Sequence, residues 1–445
     1  MEDLRALAGD CVHCGFCLPA CPTYQLWGEE MDSPRGRIHL MTQLLDGAKL
    51  DKPVLEHLDR CLGCMACVPA CPSGVQYDKL IEAARAWPVD EPRSAAQRAA
   101  RAAIFAVFPY PRRLRLLAGP LRAAQKLGLD RRIARSATGG IAARLPATAA
   151  AALRLAPPPA RRIRLPERVP ARAARGPGDA GGAHSAAGRP VRRAVVGMLT
   201  GCVQGEFFPH VNAATARLLA AEGCDVIIPR GQGCCGALSL HAGRTDQSVS
   251  LARRLIGVFD RAGVDAVVVN AAGCGSAMKE WGELLSGDAA APAARRVAGK
   301  VRDLTEFLTE LGPVAQRHPL PMTVAYHDAC HLAHAQGVRA QPRALLRAIP
   351  GLTLVEIRDG ATCCGSAGVY NLLEPAAARE LGERKADSVL SAKLAGADLL
   401  VSANPGCSLQ ITAALAARGE RIPVAHTAEI LDASIRGLPV TALTS

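Results

Sequence analysis

Sixteen of the seventeen cysteines fall into two arrays whose spacing limits what they can do. The first reads Cys11-x-x-Cys14-x-x-Cys17-x-x-x-Cys21-Pro22 and recurs as Cys61-x-x-Cys64-x-x-Cys67-x-x-x-Cys71-Pro72. Three thiolates at two-residue intervals wrap a short loop around three corners of a [4Fe–4S] cubane. The fourth, held at a helix start by the following proline, reaches the neighbouring cluster. Crossed ligation is therefore expected, with Cys11, Cys14, Cys17 and Cys71 around one cluster and Cys61, Cys64, Cys67 and Cys21 around the other. Zinc ribbons also use Cys-x-x-Cys, but as two pairs rather than an evenly spaced triple closed by Cys-Pro. Sites of this kind hold and pass single electrons, and these loops supply no substrate pocket.

The second array is itself duplicated. Cys202, Cys234-Cys235-Gly236 and Cys274 recur as Cys330, Cys363-Cys364-Gly365 and Cys407, at offsets of 128, 129 and 133 residues. A repeat that keeps its cysteines in register argues for duplicated domains. In each half an apolar run ends at the first cysteine (Ala194–Leu199, Thr323–Tyr326), and another ends just before the last (Ala266–Asn270, Leu399–Ser402). Helical stretches lie between them. Strand–helix alternation predicts parallel sheets covered by helices, with the cysteines gathered at one sheet edge. Three readings of these eight thiols stand open: a further iron–sulfur cluster in each half, thiol–disulfide chemistry at the adjacent pairs, or an assembly surface. Four thiolates per half is the number a cluster needs, which favours the first. Cys224 has no counterpart and reads as a buried apolar cysteine on a strand. His327, His331 and His334 flank Cys330 and have the chemistry to tune a cluster or relay a proton; at least two of them read as ordinary polar loop residues.

These arrays need elements to hold them. Ser33-Pro34 can open a helix whose apolar face is Ile38, Leu40, Met41, Leu44 and Leu45, and Tyr77–Arg85 reads as a closing helix. Arg35 and Arg37 either offset cluster charge, meet an acidic partner or are simply solvated. The chain thus divides into a small α-helical ferredoxin-type 2×[4Fe–4S] domain (1–88), a basic helical and linker segment (89–193), and two repeated α/β Cys-Cys-Gly domains with parallel sheets (194–315 and 316–445). The fold class is an α+β/α/β multidomain protein. Within the basic segment short amphipathic helices are expected to break at Pro109, Pro111 and Pro120. Leu155–Pro190, almost wholly Ala, Pro, Gly and Arg, reads as a linker or disordered loop.

The chain's net charge of +13 is uneven. Arg98–Arg193 holds 21 Lys and Arg against three acids, a net +18, so the remainder is mildly acidic. That segment can pack on the protein with its arginines in water, or lie on an anionic membrane; its proline breaks favour packing. Cluster-building cysteines require a reducing compartment, and the acidic first residues carry no signal peptide, so a cytoplasmic protein is expected, meeting a membrane only peripherally, at its inner face. There is no glycine-rich phosphate loop and no flavin or nicotinamide fingerprint, and no nucleic-acid partner is expected.

Taken together, the paired cluster motifs, Ser33-Pro34-Arg35-Gly36-Arg37, Leu58-Asp59-Arg60-Cys61-Leu62-Gly63-Cys64 and the doubled Cys-Cys-Gly domains resemble the glycolate oxidase (glycolate dehydrogenase) iron–sulfur subunits. Cys11-Val12-His13-Cys14-Gly15-Phe16-Cys17 through Pro22-Thr23-Tyr24 narrows the likeness to that family. Cys-Cys-Gly domains alone are shared with heterodisulfide reductase B, anaerobic glycerol-3-phosphate dehydrogenase C and lactate-utilisation subunits. There is one departure: the fuller Cys-Cys-Gly motif ends in Cys-x-x-Cys, and here Ala271 and Asn404 stand at the earlier position. The resemblance implies FAD-binding partner subunits that oxidise glycolate to glyoxylate. It gives this chain two [4Fe–4S] clusters, with further clusters in the Cys-Cys-Gly domains as an open expectation. Electrons then pass to a membrane quinone or another acceptor, and this subunit has no glycolate-oxidising residues of its own. The alternative is a heterodisulfide-reductase-like, lactate or glycerol-3-phosphate dehydrogenase subunit.

Overall fold

The computed structural model describes residues 2–87, 93–127, 146–157, 162–172 and 192–444. The first of these stretches contains helices and loops only. Ser33 caps the helix Pro34–Leu45 by accepting from the Gly36 N–H, with Pro34 at the first helical position, where its missing N–H costs nothing. Asp51 caps Lys52–Arg60 in the same way through Val54. These helices and Tyr77–Ala86 bury Ile38, Met41, Leu58, Leu80 and Ile81 in one small core, and Cys61 and Cys67 belong to it.

Two helices of the basic segment, Ala95–Val107 and Pro111–Lys126, follow. Ser94 and Gln97 form a reciprocal cap at the start of the first. The second runs through Pro120, contrary to the expected break. Pro120 lies on the exposed side, so the carbonyl its ring deprives of a partner can bond water. Ile104 and Phe105 pack with Ala151, Val369 and Leu372. Arg115 pairs with Glu206, and Arg93 with Asp59 at 2.8 Å. The described helices of this segment are therefore docked on the rest of the chain.

Leu155–Pro190 is not wholly a linker. Arg168–Val169 forms a strand, β1, antiparallel to Ile227 and Val226, and Arg168 pairs with Asp225. Residues 158–161 and 173–190 of that reading lie outside the described residues.

The remaining strands form two sheets. The first has the order β1-β3-β2-β4-β5, with β2 (Ala194–Met198), β3 (Cys224–Ile227), β4 (Ala266–Val269) and β5 (Val301–Asp303) parallel. The second has β7-β6-β8-β9, all parallel, from β6 (Met322–His327), β7 (Leu352–Glu356), β8 (Leu399–Ser402) and β9 (Val424–Ala425). Leaving β1 aside, both halves use their strands in the spatial order second, first, third, fourth. The buried strands are Val-, Leu- and Ala-rich without alternation, as sheets covered on both faces require.

The halves pack reciprocally. The helix Pro209–Ala221 of the first lies on Thr427–Arg436 of the second, and Leu304–Leu311 of the first on Ala340–Arg347 of the second. An early helix of each half thus meets the late helix of the other, the pattern of an approximate two-fold. One core joins them, containing Val196, Leu218 and Leu308 from the first half and Val324, Leu346 and Leu431 from the second. Arg217 with Asp432 seals one edge of this contact. Among the described residues no helix is long and apolar enough to cross a membrane.

Candidate functional site

The cysteines of the first array enclose two spaces. Cys11, Cys14, Cys17 and Cys71 line one, Cys21, Cys61, Cys64 and Cys67 line the other, and Cys67 borders both. Both loops bend alike. Positive φ falls two residues after the first cysteine (His13, 53°; Gly63, 61°) and one after the second (Gly15, 87°; Met65, 60°). Left-handed residues among right-handed ones gather backbone N–H groups on one side, a concavity suited to negative charge. Two of the four are not glycine, so the loops hold backbone strain that the surrounding packing must fix. Gly63 N–H points at Cys61 Sγ at 3.4 Å, and the Tyr77 hydroxyl donates to the same sulfur at 3.6 Å. None of the seventeen cysteines is in a disulfide. Four converging sulfurs and inward N–H groups at each space fit a cubane.

Beneath the second space lies a buried ionic network. Arg37 is 1% exposed; it donates to Asp32 at 3.2 Å, to the His57 carbonyl at 2.6 Å and to Thr23 Oγ1 at 3.2 Å. Asp32 also accepts from His57 Nδ1 and Arg60, while Thr23 and Cys21 Sγ approach its carbonyl. Burial alone would push the Cys61 thiol up. The Arg37 and Arg85 guanidiniums, the Gly63 N–H and the Tyr77 hydroxyl outweigh it and hold Cys61 below the usual thiol range. Arg37 is therefore a charge partner of the thiol site, not a solvated residue. Arg35 stays near the surface, bonded to Glu30 and to the His13 carbonyl at 2.9 Å.

The eight Cys-Cys-Gly thiols line one cavity of about 590 Å³. Cys202, Cys234, Cys235 and Cys274 enter from the first half, Cys330, Cys363, Cys364 and Cys407 from the second. The tops of β2, β4, β6 and β8 deliver the first and last cysteine of each set. The adjacent pairs ride on loops turned by Gly236 (φ 92°) and Gly365 (φ 86°), where a Cβ would come within 2.7 Å of Ser248 Oγ and 2.6 Å of the Ala378 carbonyl. Only glycine suits both the conformation and the approach. Cys202 and Cys234 sulfurs are 3.6 Å apart. In both halves the second cysteine of the pair is held well below the usual range by hydrogen bonds from its neighbours: Cys235 by Cys234 and Cys274, Cys364 by Cys363 and Cys407. At the motif's departure, the Asn404 amide donates to Cys407 Sγ at 3.4 Å. Cys224 is buried at the start of β3, away from these sites, and burial pushes its thiol up to about 12.

The three histidines divide otherwise than expected. His327 ends β6, buried, and one of its ring nitrogens lies with the Cys364 and Cys407 sulfurs within a 4.8 Å group. His331 is buried, with Nδ1 3.5 Å from Cys330 Sγ and its ring centroid 5.0 Å from that of His241. Only His334 is an ordinary polar residue, in the helical turn His331–Ala335, bonded to the Ala361 carbonyl and Arg339. A strand end and a one-turn spacing carried this signal, but not which face each ring would take.

The three spaces adjoin. Leu62, Cys64 and Ala66 of the second cluster loop share one apolar cluster with Cys330, Cys363 and Tyr370. The Tyr370 hydroxyl donates to the Arg60 carbonyl at 3.0 Å, and Arg85 to the His241 carbonyl at 2.8 Å. Cysteines therefore follow one another from the exposed Cys14, past Cys67 and Cys64, to Cys330 at the cavity.

At the same boundary Glu280 faces Glu82 and Asp78. Burial first, then these like charges, pushes its carboxyl up to about 8. The folded chain keeps that proton well above the ordinary carboxylate range, so the associated stability is complete below the unfolded value and lost as pH rises through about 8. Glu280→Gln is expected to melt a few degrees above the parent at pH 8.5, with the gap closing at pH 5, in thermal unfolding followed by circular dichroism. A gap that widens on acidification would contradict this.

Comparison with known proteins gives matches along the chain. Residues 8–75 match the family described as "4Fe-4S dicluster domain", and residues 196–279 and 324–412 each match "Cysteine-rich domain". Residues 96–152 match "Glycolate oxidase iron-sulfur subunit, linker region". The chain is 35% identical over 446 residues to the glycolate oxidase iron-sulfur subunit of Escherichia coli (strain K12), covering 98% of this chain and 97% of that one. It is 34% identical over 432 residues to the probable glycolate oxidase iron-sulfur subunit of Bacillus subtilis (strain 168), covering 95% and 93%. Lactate utilization protein A of an Exiguobacterium is 30% identical over 243 residues, which is 98% of that protein but 54% of this chain.

Proposed function

This chain belongs to the family of glycolate oxidase iron–sulfur subunits, and from that membership we infer where electrons enter and leave it. It is the iron–sulfur electron-transfer subunit of an oxidoreductase complex, built from a 4Fe–4S dicluster domain and two cysteine-rich Cys-Cys-Gly domains. FAD-binding partner subunits oxidise glycolate to glyoxylate and dock at the Cys11–Cys17 loop. The acceptor, a quinone or other carrier, is met at the Cys-Cys-Gly halves. The observation that carries this reading is the row of adjoining cysteines that links the three thiol-lined spaces. Cys11, Cys14, Cys17 and Cys71 would hold one cubane, and Cys21, Cys61, Cys64 and Cys67 the other. The eight remaining cysteines are candidates for further clusters. The domain limits at 88, 193 and 315 and a cytoplasmic position at the inner face of the membrane belong to the same proposal.

When bound, [4Fe–4S] clusters take up and release single electrons. The chain's own residues set the conditions. Arg37 and Arg85 offset thiolate charge at Cys61, and Tyr77 and Gly63 donate to its sulfur. The apolar cores around Cys67 and Cys64 exclude water. At the surface Val12 and Phe16, 69% and 68% exposed, flank Cys14, and desolvating such side chains is how a partner would be held close to this loop. Replacing both with Glu should abolish glycolate-dependent reduction through the partner subunits while leaving reduction by dithionite unchanged. Full glycolate-dependent reduction of that variant would place the entry elsewhere. Iron counts extend the test at four irons per cluster: about eight would leave the Cys-Cys-Gly halves empty, and about twelve or sixteen would fill one or both.

A further inference from the structure

The cavity shared by the two halves has a chemistry the relay does not need. Its walls beyond the cysteines are mainly apolar, and none of the described residues lining it is Lys, Arg, Asp or Glu. Yet several polar atoms are buried at this wall with no partner among the described residues: Gln204 Nε2 and Oε1, Ser366 Oγ, His241 Nε2 and His331 Nε2. Buried polar atoms cost free energy unless something bonds them, so unpaired donors and acceptors at an apolar cavity point to a ligand with few, placed polar groups. One wall is the helix Pro111–Lys126. Its Leu114, Leu117 and Ala118 all line the cavity; Leu114 and Ala118 are buried and Leu117 is 56% exposed, so the apolar lining runs out to the surface.

We propose that this cavity binds the ring of a lipophilic quinone, with Gln204 and Ser366 donating to its oxygens and the helix Pro111–Lys126 flanking its apolar tail. The proposal rests on the electron-transfer reading above and locates its acceptor. A quinone is uncharged, flat, mostly apolar and carries two carbonyl oxygens, which is what this lining accommodates. The Gln204 amide and Ser366 hydroxyl can donate to those carbonyls. His241 Nδ1 lies 2.9 Å from Glu82 Oε1, so with that N–H donated, Nε2 is left as an acceptor. Nε2 and Gln204 Oε1 can then accept from the hydroxyls of the reduced form. The balance is quinone plus two electrons plus two protons giving hydroquinone. The electrons arrive singly from the reduced iron–sulfur relay and the protons come from solvent. Oxidation of glycolate to glyoxylate releases the matching two of each.

The test uses the full chain, purified anaerobically, with decyl-ubiquinone as ligand and an azido-quinone as photolabel. Saturable binding is expected, with label recovered in peptides around residues 111–121 or 203–207. Gln204→Leu, which keeps size and removes one hydrogen-bonding group, should weaken binding about tenfold. Ser366→Ala is the second variant should the first fold poorly, as judged by circular dichroism and dithionite-bleachable absorbance. Absence of saturable binding, label confined to the Cys11–Cys17 loop, equal affinity in both folded variants, or competition by a charged mixed disulfide would each overturn the proposal. The relay reading fails separately, if the partner subunits and glycolate do not reduce the chain at all.

Discussion

Cys21→Ser is expected to remove the cluster site that Cys61, Cys64 and Cys67 share with it and to spare the site of Cys11, Cys14 and Cys17. Cys21 lies in sequence with the first triple but borders the second space, and Cys71 does the reverse. Cys21 is buried, its sulfur 3.2 Å from Thr23 Oγ1, so a serine hydroxyl fits the volume but offers a poor ligand to iron. The iron content should fall by about four per chain. Paramagnetic resonance of the reduced protein should keep one cluster signal and lose the other. Cys71→Ser should produce the complementary loss. If Cys21→Ser instead removed the signal that also disappears in Cys11→Ser, ligation would follow sequence order and the crossed assignment would be wrong.

Arg37→Met should be among the most destabilising single changes in the chain. The guanidinium is buried with Asp32, and its removal strips the carboxylate of one partner and the His57 carbonyl of another. Breaking a buried pair from one side costs about 3–5 kcal/mol, and the cost here belongs toward the lower end because His57 and Arg60 still reach Asp32. The same change removes the charge that helps hold Cys61 below the usual thiol range. Urea unfolding of the anaerobic holoprotein should show the lowered midpoint, with faster iron loss to a chelator. A midpoint within experimental error of the parent would mean that Arg37 is a bystander.

The cysteine chemistry could be read from spacing because spacing is the constraint that metal geometry imposes on a chain. The repeated offsets of Cys202 with Cys330 and Cys274 with Cys407 likewise announced duplicated α/β halves, and both halves do use the same strand order. What spacing could not convey was how the halves face each other. That depends on the apolar sides of Pro209–Ala221 and Thr427–Arg436 choosing each other, and it turns two cysteine sets toward one cavity. Arg37 gave no sign of burial, because its partner Asp32 and the His57 carbonyl meet it only after the helices dock. Pro120 and β1 misled for local reasons. An exposed proline can sit in a helix, and a two-residue edge strand such as Arg168–Val169 is fixed by its neighbour β3 rather than by its own composition. His327 and His331 became site residues through strand end and turn geometry, which residue type alone does not specify.

The most direct measurement is glycolate-dependent quinone reduction by the assembled complex, comparing the parent chain with Cys21→Ser while following glycolate-dependent dye reduction by the partner subunits in parallel. Loss of quinone reduction with dye reduction intact is predicted, because the relay would be interrupted between the Cys11–Cys17 loop and the cavity at Cys330. Undiminished quinone reduction by a complex shown to lack the second cluster would contradict the account.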